Sequence, residues 1–144
     1  MSDKTILIVE DNEINLILVR DIIRRLGHSA IEAADAETGV KLAVELKPDL
    51  ILMDIRLPGM DGLEAVKILK ATPETAGIPS IAISASAFER DKRAALAAGC
   101  EAYITKPLIY DEFISAIENC LIKYENCKND AAADCRNTTG KNSI

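Results

Sequence analysis

With 144 residues, 49% of them hydrophobic, the chain is long enough to bury one core without disulfides or a structural metal as staples. Its 3% aromatic content leaves no base-stacking platform for single-stranded nucleic acid, and a formal net charge of −6 opposes direct binding to a phosphate backbone, which needs a Lys/Arg surface to release counterions. No apolar run approaches the roughly 20 residues of a membrane-spanning helix, and Met1 to Thr5 is too short and polar to open a signal peptide, so a cytoplasmic location is expected.

The first apolar run, Ile6 to Val9, reads as a strand and is followed by two acids, Glu10 and Asp11. Ile14, Leu18, Ile22 and Leu26 then recur at i, i+4 with Val19 and Ile23 beside them, which predicts a helix with a broad apolar face, ended by Gly27. His28 has no ligand neighbours in sequence and is expected to face solvent or complement the helix dipole. Ser29 to Ala33 reads as the second strand. Val40, Ala43 and Val44 mark the second helix, with Asp35 as its N-cap and Pro48 as its stop.

Leu50 to Met53 reads as the third strand and delivers Asp54. Leu63, Val66 and Leu69 mark the third helix, with Asp61 in a turn or capping role ahead of it. Ser80 to Ile83 reads as the fourth strand and ends on Ser84. Ser86 and Glu89 stand at capping-box spacing before a fourth helix whose alanine-rich body has little to anchor it by packing. Ala102 to Ile104 reads as the fifth strand, leading to Lys106. The last helix carries Phe113, Ile117, Cys120 and Leu121 on one stripe, with Asp111 and Glu112 in its first turn. From Tyr124 onward periodicity is lost, so one domain is expected over 1–123 and a disordered tail over 124–144.

This five-fold alternation of short, nearly unbroken apolar strands with helices predicts an α/β fold, a doubly wound five-stranded parallel sheet. Such sheets bind ligands at the carboxyl ends of their strands, where strand order reverses. Glu10, Asp11, Asp54, Ser84 and Lys106 all follow strand ends and should meet on one edge. Three carboxylates crowded there need a cation to offset their repulsion, and a hard divalent metal with oxygen ligands, normally magnesium, meets that need.

With Glu10-Asp11, Asp54, Pro58-Gly59-Met60-Asp61-Gly62, Ser84-Ala85 and Tyr103 ahead of Lys106-Pro107 in this order, the chain resembles the receiver domain of bacterial response regulators, in the form of the single-domain chemotaxis and cell-cycle regulators. The resemblance spans Lys4 to about Lys123 and implies a flavodoxin-like (βα)5 fold. It makes Asp54 the phosphoacceptor, Glu10, Asp11 and Asp54 the magnesium carboxylates, and Arg56 a metal ligand through its backbone carbonyl. It further makes Ser84 the hydroxyl that follows the phosphoryl group, Lys106 its paired cation, Tyr103 the aromatic switch and Lys106-Pro107 a cis bond. A histidine kinase or histidine phosphotransfer protein would supply the phosphoryl group and a protein target would read the result. The chain would be a monomer or a dimer formed on phosphorylation, with no direct nucleic-acid or membrane contact. It would not be an enzyme beyond assisting its own phosphorylation and dephosphorylation.

Each residue also has a plain structural alternative. Asp11 could cap the first helix, Ser84 could satisfy a nearby backbone group, Lys106 could be an exposed lysine and Tyr103 could be a packed ring. Three other functions compete. A haloacid-dehalogenase-type phosphatase needs a second Asp two residues after the nucleophile, where this chain has Arg56. A nucleotide or flavin binder needs a glycine-rich loop after the first strand, where this chain has Glu10-Asp11-Asn12. A receiver cut from a hybrid sensor kinase would show the same residues. Cys100, Cys120, Cys127 and Cys135 lack zinc-site spacing and histidine partners and are expected as reduced thiols. Asn137-Thr138-Thr139 matches the glycosylation pattern by chance.

Overall fold

The computed structural model describes residues 4–56 and 61–129. Strands and helices alternate as β1 (Thr5–Val9), α1 (Glu13–Arg25), β2 (Ser29–Ala33), α2 (Ala36–Leu46), β3 (Leu50–Asp54), α3 (Gly62–Ala71), β4 (Ser80–Ser84), α4 (Glu89–Ala98), β5 (Ala102–Thr105) and α5 (Tyr110–Asn129). The sheet is parallel throughout, in the order β2-β1-β3-β4-β5. The chain leaves β1 toward one side for β2 and returns on the other side for β3, so strand order reverses between β1 and β3. The register pairs Val9 with Met53, Asp54 with Ile83 and Ser84 with Thr105, which lines up the carboxyl ends that carry the polar residues.

Alternation along each strand sends side chains to opposite faces, and two apolar layers form. Leu7, Val9, Ile51, Met53 and Ala82 pack with Ala36 and Ala43 of α2, Ala65, Val66 and Leu69 of α3, and Ala95 and Ala98 of α4. On the other face Ile6, Ile8, Leu50, Leu52, Ile81 and Ile83 pack with Val19, Ile22 and Ile23 of α1 and with Phe113, Ile117, Cys120 and Leu121 of α5. β1, β3 and β4 are buried almost end to end, as expected for strands covered on both faces.

The caps follow local chemistry. Asp35 accepts the Thr38 N–H at 2.7 Å and Asp61 accepts the Leu63 N–H at 2.8 Å, as expected of both. Gly27, at φ 90°, follows the C-cap of α1 in the left-handed region that only glycine enters without strain. The residue that caps α1 is Asn12, accepting from Asn15 N at 3.0 Å, so Asp11 is left for the site.

Four expectations need correction. Ile14 and Leu18 of the expected inward stripe are 76% and 49% exposed, joined by Ile17; the apolar arc of α1 is wider than the sheet face it covers, and Val19, Ile22 and Ile23 take the inward places. His28 is buried, its Nδ1 accepting the Lys4 N–H at 3.2 Å; the turn after Gly27 brings it against the chain entering β1. The capping box at α4 does not form: Phe88 is the N-cap, without a side-chain cap bond, because the helix begins two residues later than a Ser86 cap would place it. Finally, α5 runs to Asn129, past the expected boundary at 123, since an established helix gains a hydrogen bond for each residue added without needing an apolar stripe. The remainder of the expected tail, and Pro58-Gly59-Met60, lie outside the described residues.

Candidate functional site

Asp54 closes β3 and is 4% exposed. Its Oδ1 accepts the Arg56 N–H at 3.0 Å, and its Oδ2 lies 3.2 Å from Lys106 Nζ. Glu10, just past the end of β1, is equally buried; its Oε2 accepts the Asn12 N–H at 3.2 Å and its Oε1 lies 3.4 Å from the same ammonium. Asp11 is exposed at the rim. One carboxylate oxygen from each of Glu10, Asp11 and Asp54 falls within a 4.8 Å spread.

Charge and burial oppose each other here. Burial, then the hydrogen bond and charge of Asp54, push the Glu10 carboxyl up to about 7. Partial burial works against the Lys106 ammonium, yet the Asp54 and Glu10 carboxylates outweigh it and raise its pKa above the ordinary lysine value. One ammonium thus faces three acids. The donor set, all hard carboxylate oxygen and short of positive charge, fits a divalent ion such as magnesium.

The β5–α5 loop aims Lys106. The Lys106-Pro107 bond is cis, as expected, and Lys106 N donates to Ser84 O at 2.7 Å. Ser84 ends β4 nearly fully buried, and its Oγ accepts the Ser86 N–H at 3.1 Å. Tyr103 packs against the α2–α3–α4 layer and its hydroxyl donates to the Ser86 carbonyl at 2.8 Å. A cavity of about 400 Å³ runs beside these groups, lined by Arg56, Asp61, Leu63, Ser84, Asp91 and Tyr103 among others. The structure therefore gathers Glu10, Asp11 and Asp54, with Lys106 against Glu10 and Asp54, while Ser84 and Tyr103 meet through Ser86 on the neighbouring strands β4 and β5. The Arg56 side chain is exposed.

Sequence reasoning missed the bond from the Ser86 hydroxyl to Asp91 Oδ2. A hydroxyl five residues ahead of an acid, across a helix start, was its only trace. Cys100 and Cys120 are free and buried, and burial pushes their thiols up to about 12 and about 11, which keeps them protonated; Cys127 and Cys135 carry no described side chain. A second cavity, about 600 Å³, lies between the start of β5 and α5 beside the Glu101–Lys123 ion pair, away from Asp54. Among the described residues no helix is long and apolar enough to cross a membrane.

Residues 6–118 match the profile of the response regulator receiver domain. The polar-differentiation response regulator DivK of Brucella anthropi is 45% identical over 118 residues, which is 82% of this chain and 96% of that protein. The receiver domain of a sensor histidine kinase from Pseudomonas aeruginosa, solved with a magnesium ion coordinated in its active-site cleft, is 32% identical with a TM-score of 0.77, covering 83% of this chain and 98% of that one. A CheY-like response regulator receiver domain protein from Methanospirillum hungatei is 30% identical with a TM-score of 0.80, over 87% and 98% of the two chains.

Proposed function

This chain belongs to the response regulator receiver domain family, and from that membership we propose that Asp54 accepts a phosphoryl group from a histidine kinase or histidine phosphotransfer protein and that the domain signals through a changed protein-binding surface. The observation that carries this reading is the buried Asp54 carboxylate, held 3.2 Å from Lys106 Nζ and clustered with Glu10 and Asp11.

In the transfer, an Asp54 carboxylate oxygen forms a bond to phosphorus while the phosphorus–nitrogen bond of the donor's phosphohistidine breaks, and the imidazole leaves with its electron pair. Phosphoryl transfer depends on positioning and charge neutralisation. Lys106 offers a point charge on a flexible stem, suited to a phosphoryl oxygen once Asp54 has become an acyl phosphate. Glu10, Asp11 and Asp54, with the Arg56 backbone carbonyl, would hold magnesium, which when bound would neutralise charge on the transferring group. The Ser84 hydroxyl, at the end of β4 beside β3, would exchange its bond from Ser86 N for one to a phosphoryl oxygen. The exposed Ile14, Ile17 and Leu18 on the first turns of α1 flank Glu10 and Asp11 in the chain and offer an apolar surface for the phosphodonor protein.

Incubation with a small phosphodonor and magnesium, followed by intact mass, tests the assignment. The wild-type chain should gain one phosphoryl group and an Asp54→Asn variant none. An adduct on both would overturn it.

A further inference from the structure

Every polar atom of Ser86 is engaged, and each bond leads to a different moving part. Its N–H donates to Ser84 Oγ at 3.1 Å, its carbonyl accepts from the Tyr103 hydroxyl at 2.8 Å, and its own hydroxyl donates to Asp91 Oδ2 while accepting the Phe88 N–H at 3.3 Å. Asp91 lies in the first turn of α4, a helix whose N-cap, Phe88, has no side chain able to cap it. The Ser86–Asp91 pair stands in for that cap, two residues upstream of its usual place.

We propose that Asp91 is a positioning residue for the phosphoryl switch: acting through Ser86, it ties the first turn of α4 to the Ser84 hydroxyl and the Tyr103 ring. The inference rests on the reading of Asp54 as phosphoacceptor and names how that site reaches α4. When Ser84 Oγ turns to a phosphoryl oxygen, the Ser86 N–H loses its acceptor, and a polar group left unpaired in a half-buried place is costly. Ser86 must then shift toward a new partner. Its other two bonds ensure that such a shift carries both the Asp91 end of α4 and the acceptor of Tyr103. The cavity of about 400 Å³ bordered by Ser84, Ser86, Asp91 and Tyr103 leaves room for that motion, and α4 itself is anchored in the core only by Ala95 and Ala98 among its buried residues, so it resists little. Without the Asp91 bond the loop can rearrange while α4 stays in place.

Asp91 also complements the α4 dipole, and a purely structural role of that kind predicts a different result. The experiment follows amide shifts on adding beryllofluoride and magnesium to the full chain, in wild type, Asp91→Ala, Ser86→Ala, the double variant and Asp91→Asn. Shifts of Ile55 and Arg56 report the pocket, and those of Arg90 to Ala98 report α4. The pocket shifts should persist in all five proteins. The α4 shifts should fall by at least half in Asp91→Ala and in Ser86→Ala, fall no further in the double variant because one bond is lost in each, and be retained in Asp91→Asn, which keeps an acceptor oxygen. Full α4 shifts in Asp91→Ala, or independent losses from the two single changes, overturn the proposal and leave Asp91 a helix-dipole partner. Should Asp91→Ala fail to fold, Ser86→Ala, which deletes only a hydroxyl, decides the question alone. If Ile55 and Arg56 fail to shift in wild type, the phosphoacceptor reading falls and the coupling falls with it.

Discussion

At position 28 an imidazole is buried, 6% exposed, with Nδ1 accepting the backbone N–H of Lys4. That bond requires an unprotonated Nδ1, and burial lowers the His28 pKa below the ordinary value. An unfolded chain therefore binds a proton at position 28 more readily than the folded one, so the stability His28 contributes is present above about pH 6.5 and is lost as pH falls below it. Glu10 works in the opposite sense: its folded pKa of about 7 lies above the ordinary value, so its protonation on acidification favours the fold. Replacing His28 by Asn, whose Oδ1 can accept the same N–H without titrating, separates the two. Between about pH 7 and pH 5, His28→Asn should lose less thermal stability than wild type; equal slopes would show that His28 is not the group responsible.

Helix α3 begins at Gly62, whose missing Cβ is a condition of the site. A Cβ built there would lie 2.4 Å from the Asp54 carbonyl oxygen and 2.8 Å from Ile55 Cα, so the helix start is pressed against the strand end that holds Asp54. Alanine returns up to about 1 kcal/mol of helix propensity, but overpacking against backbone costs roughly 1–3 kcal/mol and wins. Gly62→Ala should thus lower the denaturation midpoint and slow formation of the phosphoryl adduct on Asp54, whereas an unchanged rate would mean that the strand end can yield without cost. On α1, Ile14→Glu should slow phosphorylation by a donor protein and spare phosphorylation by a small phosphodonor; equal slowing of both would place Ile14 in folding instead of docking. These two elements also show what the sequence conveys. The run Leu50 to Met53 followed by Asp54 marks a buried strand ending on an acid, and parallel topology alone then brings Glu10, Asp54 and Lys106 to one edge. Which arc of α1 the sheet covers is set by how the helix docks on β1 and β2 and on the layer that α5 completes, so Ile14 and Leu18 could be read as core. The burial of His28 depends likewise on Lys4, and the Ser86–Asp91 bond on where α4 starts. Those facts belong to packing, and periodicity does not encode them.

For the molecule as a whole, two apolar layers close both faces of the sheet and leave the charge imbalance at its carboxyl edge, in a chain of net charge −6. Three carboxylates within 4.8 Å against one ammonium repel one another only when folding assembles them, so they subtract from stability until a cation binds. A ligand that binds the folded state alone stabilises it by RT ln(1 + [L]/Kd), which at ten times Kd is about 1.4 kcal/mol. For a domain of this size that is a rise of roughly 4–7 °C in the thermal midpoint. Magnesium should produce such a rise at millimolar concentration, and sodium chloride at matched ionic strength should produce less, since screening weakens the repulsion without occupying the cluster. Asp11→Ala should behave oppositely in the two conditions. Without magnesium it should melt at or above the wild-type midpoint, because one of the three repelling charges is gone and Asp11, exposed at the rim, packs against little. With magnesium its rise should be small, because a ligand has been lost. Equal magnesium-dependent rises in wild type and Asp11→Ala would mean that the ion acts on the surface at large, and the cluster of Glu10, Asp11 and Asp54 would lose its standing as the metal site.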